Sequence, residues 1–142
     1  MPRRAATLQV PAHPASLEAV RRFVAEQASE AGLTERAVEQ VRMAVDEACA
    51  NVVEHAYKGE QGHKLDVRVE VNGEELVVRI LHTGRAFDPE SYRGPARLEE
   101  SVRQRRSGGF GVFLMQRLMD EVEYLTRGRV SEVRLTKRRV AA

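Results

Sequence analysis

Glu47, Asn51 and His55 stand at successive intervals of four within TERAVEQVRMAVDEACANVVEHAYKG, the stretch from Thr34 to Gly59. That interval stacks side chains on one stripe of an α-helix, with neighbouring Cβ atoms about 5–6 Å apart. A carboxylate in such a row can accept a proton as a general base, and an amide oxygen is a hard ligand suited to Mg²⁺. A polar row alone is as readily a solvated helix face. Its flanks distinguish this one: Ala44, Ala48, Ala50 and Val53 set the carboxylate and the amide at the edge of an apolar stripe.

Gly108, Gly109 and Gly111 form a second candidate group, just before the apolar run Val112 to Met119. Glycines let backbone amides approach a ligand closely, and the positive end of the following helix favours an anion. Phosphate is the expected anion, although a glycine cluster can equally be a hinge. The chain has no G-x-x-x-x-G-K-[ST], and no strand leads directly into the glycines, so neither a P-loop nor a Rossmann turn is expected.

The elements that must position these groups follow from periodicity. Val38, Val41, Val45, Ala48 and Val52 recur at steps of three and four, which predicts a central helix with that stripe in the core. Thr34 is its expected cap, and Gly59 and Gly62 are expected to end it. Leu17, Val20, Val24 and Ala28 predict an earlier helix capped by Ser16, preceded by a short edge strand from Ala5 to Val10. Leu65, Val67, Val69 and Val71 alternate with polar residues, Asn72-Gly73 signals a hairpin, and the return strand runs from Glu75 to His82. Period two puts His82 on the inward face with Leu76, Val78 and Ile80. Strands from Val122 to Thr126 and from Val130 to Thr136 turn at Gly128. Between the two hairpins lies a long segment, about 85 to 110, with Pro89, Gly94, Pro95 and no sustained apolar period. It is expected to be a lid.

Paired antiparallel strands with helices on one face make an α+β two-layer sandwich, and 142 residues suffice for one domain with a real core. No apolar run reaches the ~18–20 residues that span a bilayer, and the first residues lack the apolar segment of a secretory signal, so the cytoplasm is the expected location. The single cysteine, Cys49, excludes an intrachain disulfide and a multi-cysteine metal site. A net charge of +2 is too small to imply nucleic acid. Basic clusters at Arg103, Arg105 and Arg106 and at Lys137, Arg138 and Arg139 carry no interleaved aromatic residue for stacking.

Three segments then occur in a fixed order: E-A-C-A-N on a helix, H-T-G-R-A-F-D-P after a strand, and G-G-F-G-V-F-L opening a helix. Together they resemble the ATP-binding boxes of the GHKL superfamily, whose domain is the histidine-kinase-like ATPase or Bergerat fold. The likeness is closest to the bacterial anti-sigma-factor serine kinases, whose E-A-x-x-N-x-x-x-H-A-Y matches Glu47 to Tyr57; G-x-x-F-D-P at Gly84 to Pro89 fits the same subgroup. The resemblance implies that Asn51 ligates Mg²⁺ on ATP and that Glu47 activates the attacking hydroxyl. It also implies that Gly108, Gly109 and Gly111 wrap the phosphates, with Gly84 and His82 in the adenine box. The implied partners are a sigma factor and a STAS-domain anti-anti-sigma protein whose serine is phosphorylated, and a homodimer is compatible with it.

This chain departs from that pattern at His82, where the family has an aspartate that accepts a hydrogen bond from the adenine amino group. A neutral histidine ring accepts one hydrogen bond and a protonated ring accepts none. Ser131, on the same face as Val133 and Leu135, is placed to reach adenine through water. The departure keeps a second function in view, that of a protein-binding module of the same fold that does not phosphorylate its partner.

Overall fold

The computed structural model describes residues 4–56, 62–83 and 109–139. Five strands, β1 (Arg4–Pro11), β2 (Lys64–Asn72), β3 (Glu75–Thr83), β4 (Glu121–Arg127) and β5 (Val130–Arg138), form one sheet in the order β1-β2-β3-β5-β4. Every neighbouring pair is antiparallel. The helices are α1 (Leu17–Glu30), α2 (Glu35–Asn51) and α3 (Gly109–Leu118). The expected α+β two-layer arrangement is the one found. Val20, Val24, Val41, Val45, Val52 and Met115 of the helical layer join Leu65, Val67, Leu76, Ile80 and Leu135 of the sheet in one fully buried core.

Alternation in β2 and β3 holds residue by residue, and His82 closes the buried series Leu76, Val78, Ile80, only 3% exposed. The turn at Gly73 needs its glycine, because φ there is +61°. Thr34 caps α2 as expected: its Oγ1 accepts the Ala37 amide at 3.1 Å. Ser16 does not perform the expected role. It occupies the position before α1, but its hydroxyl makes no capping bond; Pro14–Ser16 form a 3₁₀ turn, and His13 Nδ1 accepts the Ala15 amide at 3.0 Å.

The far end of the central helix also differs from expectation. Regular α geometry stops at Asn51, and Val52–Ala56 form a π turn. Glu47 and Asn51 both lie within the regular α-helix, one turn apart, and His55 falls in the π turn that follows. Gly62, with φ +89°, lies beyond the helix, and Gly59 is outside the described residues.

The basic cluster at the end of β5 serves the fold. Lys137 Nζ donates to the Leu118 carbonyl at 2.7 Å and Arg139 donates to the Ala31 carbonyl at 2.8 Å, so cations close the C-terminal ends of α3 and α1. Arg138 pairs with Glu121, and its amide donates to Asp120.

On the sheet face away from the helices, Glu132 is only 9% exposed. Arg79 grips it with two bonds of 3.0 Å, Arg134 Nε donates at 2.7 Å, and Arg79 also reaches Glu70. Burial pushes the Glu132 carboxyl up, but the two arginines outweigh it and hold the group below its ordinary value. A depressed carboxylate contributes stability above its unfolded value, about 4.3, and loses it as pH falls through the lower folded value. Glu132→Ala is therefore expected to cost about 1.5–3 kcal/mol at neutral pH in a urea titration. The difference from the parent should vanish in acid.

Candidate functional site

Glu47 and Asn51 share one stripe of α2, and the structure sets them at different depths. Glu47 is half-buried, whereas Asn51 is 4% exposed. Desolvation raises the Glu47 carboxyl above its ordinary value, and the nearby charges of Asp46 and Glu54 add to the shift. No described residue donates a hydrogen bond to it. This is a carboxyl tuned toward proton acceptance and open to an incoming donor.

Asn51 is more informative. Its Nδ2 is buried without a hydrogen-bond partner, and an unsatisfied buried amide costs about 1–3 kcal/mol. Buried polar groups are nearly always paired, so this NH₂ donor suits an incoming acceptor such as a phosphate oxygen, while the amide oxygen is the atom suited to a cation. Of the four apolar flanks, Ala44, Ala48 and Val53 are buried and Ala50 is half-buried. Cys49 is buried filler: burial pushes its thiol up to about 12, with Asp46 adding, which makes it a poor nucleophile.

The second group lies on the inward face at one end of the sheet. Register pairs His82 of β3 with Ser131 of β5, and Ser131 with Thr126 of β4, so three polar residues form one row directly across three strands. His82 and Ser131 are buried, Thr126 is exposed. Burial lowers the His82 pKa and a hydrogen bond to the Thr83 backbone opposes the shift in part, which leaves a neutral ring at physiological pH. Thr126 was missed in the sequence reading. The tight turn at Gly128, which pairs Arg127 with Val130, already implies the neighbouring pair of Thr126 and Ser131.

Gly109 and Gly111 belong to the first turn of α3 rather than to a loop before it, because the helix begins three residues earlier than the apolar run implies. Helix α3 packs against α2, the helix that carries Glu47 and Asn51. Gly84, Gly108 and nearly all of the expected lid lie outside the described residues. A depression of about 450 Å³ that reaches His82 and Thr83 opens on the other face of the sheet, between Gln9, Asp66, Arg68 and Val130, and includes neither Glu47 nor Asn51.

Residues 10–137 match the family model of the histidine kinase-like ATPase domain. The chain belongs to this family. Among curated members of related sequence, serine-protein kinase RsbW of Listeria innocua is 38% identical over 120 residues, which is 82% of this chain and 76% of the relative. Serine-protein kinase RsbW of Bacillus subtilis is 35% identical over 133 residues, 92% and 82% of the two chains. A crystal structure of the RsbU and RsbW domains of Rv1364c from Mycobacterium tuberculosis superposes with a TM-score of 0.67. That match covers 95% of this chain and 32% of the other at 16% identity, and it speaks to the fold. The histidine kinase-like ATPase fold is therefore common to all of these. Among the described residues, no helix is long and apolar enough to cross a membrane, and no cluster of three or more His, Cys, Asp or Glu side chains could hold a metal by itself.

Proposed function

We propose that this chain is an ATP-dependent serine/threonine-protein kinase of the anti-sigma-factor type, acting in the cytoplasm. In this reading it binds a sigma factor in one state and phosphorylates a serine of a STAS-domain anti-anti-sigma protein in another. The observation that carries the reading is the pair on α2: a half-buried carboxylate with a raised pKa, one turn before a buried amide that lacks a partner.

The donor set fits the nucleotide. Asn51 would hold Mg²⁺ through its side-chain oxygen, the first turn of α3 with Gly109 and Gly111 would face phosphate, and His82 with Ser131 would face the base. ATP supplies the phosphoryl group, which passes through a loose transition state that needs mainly positioning and charge neutralisation. Glu47 would take the proton from the serine hydroxyl as that oxygen displaces ADP from the transferred phosphoryl group, and Asn51 would hold a Mg²⁺ ion that supplies charge neutralisation to the phosphates.

Calorimetric titration with ATP and Mg²⁺, followed by transfer of labelled phosphate to a STAS-domain protein, tests the reading. Saturable binding and serine labelling are expected; no binding by a folded protein overturns it. His82 favours the second reading, a partner-holding module. A neutral ring contributes one hydrogen bond worth about 0.5–1.5 kcal/mol, against about 1.5–3 kcal/mol for a charged acceptor. His82→Asp is accordingly expected to tighten ATP about tenfold and to sharpen its preference over GTP, read in parallel titrations. If the parent and His82→Asp both fail to bind while folded, the module reading replaces the kinase.

A further inference from the structure

Only two large apolar side chains stand exposed among the described residues, Met43 and Val130, each at 40%. Val130 sits beside the β4–β5 turn, where an exposed aliphatic residue is unremarkable. Met43 is different because of its neighbour: it lies on α2 exactly four residues before Glu47, hence on the same stripe and about 6 Å away along the helix axis. The charged groups next to it on α2 are paired: Arg42 with Glu39 at 2.5 Å and Asp46 with Arg21 of α1 at 3.1 Å, which leaves the methionine as the exposed large apolar side chain one turn before the carboxylate.

We infer that Met43 is a docking contact for the serine-bearing substrate protein, and that this protein presents an apolar side chain within about 6 Å of its acceptor hydroxyl. The inference rests on the kinase reading, because that reading requires the hydroxyl to reach Glu47. A protein that delivers a hydroxyl to Glu47 along this stripe must cover the adjoining turn. Methionine suits such a surface, being unbranched, polarizable and able to repack against differing partners. The contact acts on binding of the protein substrate and makes none with nucleotide. It therefore affects one KM and not the other.

The probe is a purified STAS-domain anti-anti-sigma protein, used with the full chain as parent, Met43→Leu and Met43→Glu, each checked for an unchanged melting temperature. Met43→Glu is expected to raise the KM for the protein substrate at least tenfold, with kcat and the affinity for ATP unchanged, and Met43→Leu to stay within about threefold of the parent. Calorimetric binding of the STAS protein without turnover should show the same loss. It separates the two claims: a parent that binds the protein but transfers no phosphate defeats the kinase reading, while equal binding by parent and Met43→Glu defeats the docking contact. A Met43→Glu protein with unaltered KM but a changed sedimentation coefficient would assign the methionine to contact between copies of this chain and overturn the inference.

Discussion

Glu47→Ala is expected to lower phosphate transfer by at least about 10²-fold while leaving ATP affinity nearly intact, the range that loss of a general base produces. The carboxylate acts on the hydroxyl of the second substrate and need make no ground-state contact with nucleotide. kcat and kcat/KM should therefore fall together, with little change in the affinity for ATP. The pH profile gives an independent check. Burial, with Asp46 and Glu54, raises the Glu47 carboxyl, and the ionised form is the active one, so the acid limb of the rate should lie above the ordinary carboxylate value of about 4.3. Glu47→Gln should abolish that limb along with the activity. A variant that loses nucleotide binding and structure to the same degree would instead make Glu47 a structural residue.

Asn51→Ala is expected to produce the opposite separation, weak nucleotide binding in a protein at least as stable as its parent. The Nδ2 of Asn51 is already unsatisfied, so removing the amide relieves a burial cost of about 1–3 kcal/mol and offsets the packing lost with the side chain. The same removal deletes the oxygen proposed for Mg²⁺. Urea midpoints without nucleotide, set beside titrations with ATP and Mg²⁺, test both halves. A strongly destabilised variant with unchanged nucleotide affinity would show that the amide is satisfied within the fold and has no ligand to serve. Exchange of function for stability at one position is the usual mark of a binding group.

The distribution of legible and illegible features has a physical basis. Alternation in β2 and β3 and the apolar stripe of α2 were readable because each reports a single boundary between core and water, and that boundary repeats with the backbone period. The pair of Glu47 and Asn51 was readable for the same reason. The π turn at Val52–Ala56 was not, because a change in the backbone hydrogen-bond period leaves the apolar pattern that announces a helix unaltered. Ser16 looked like a cap by type, but the prolines before α1 allow a 3₁₀ turn whose acceptor comes from His13. Lys137 and Arg139 read as a charged patch; only the packing of three elements shows that they meet the carbonyls of Leu118 and Ala31. Glu132 escaped notice because the partner that grips it with two bonds, Arg79, comes from the register of β3 with β5, which no local window contains.

The strand order also bears on how the chain is made. β5 lies between β3 and β4 although it leaves the ribosome after both. Until it arrives, β3 presents an open edge of unpaired amides and carbonyls, and β4 has no neighbour with which to pair. The late strand also brings the contact from Arg139 to Ala31, across 108 positions of sequence. Such long-range closure is slow relative to helix formation, so the nascent α1 and α2 should gain their helical shape well before the sheet is complete. During that interval the exposed edge of β3 is the site at which a chaperone has most to protect, and at which two incomplete chains would first adhere.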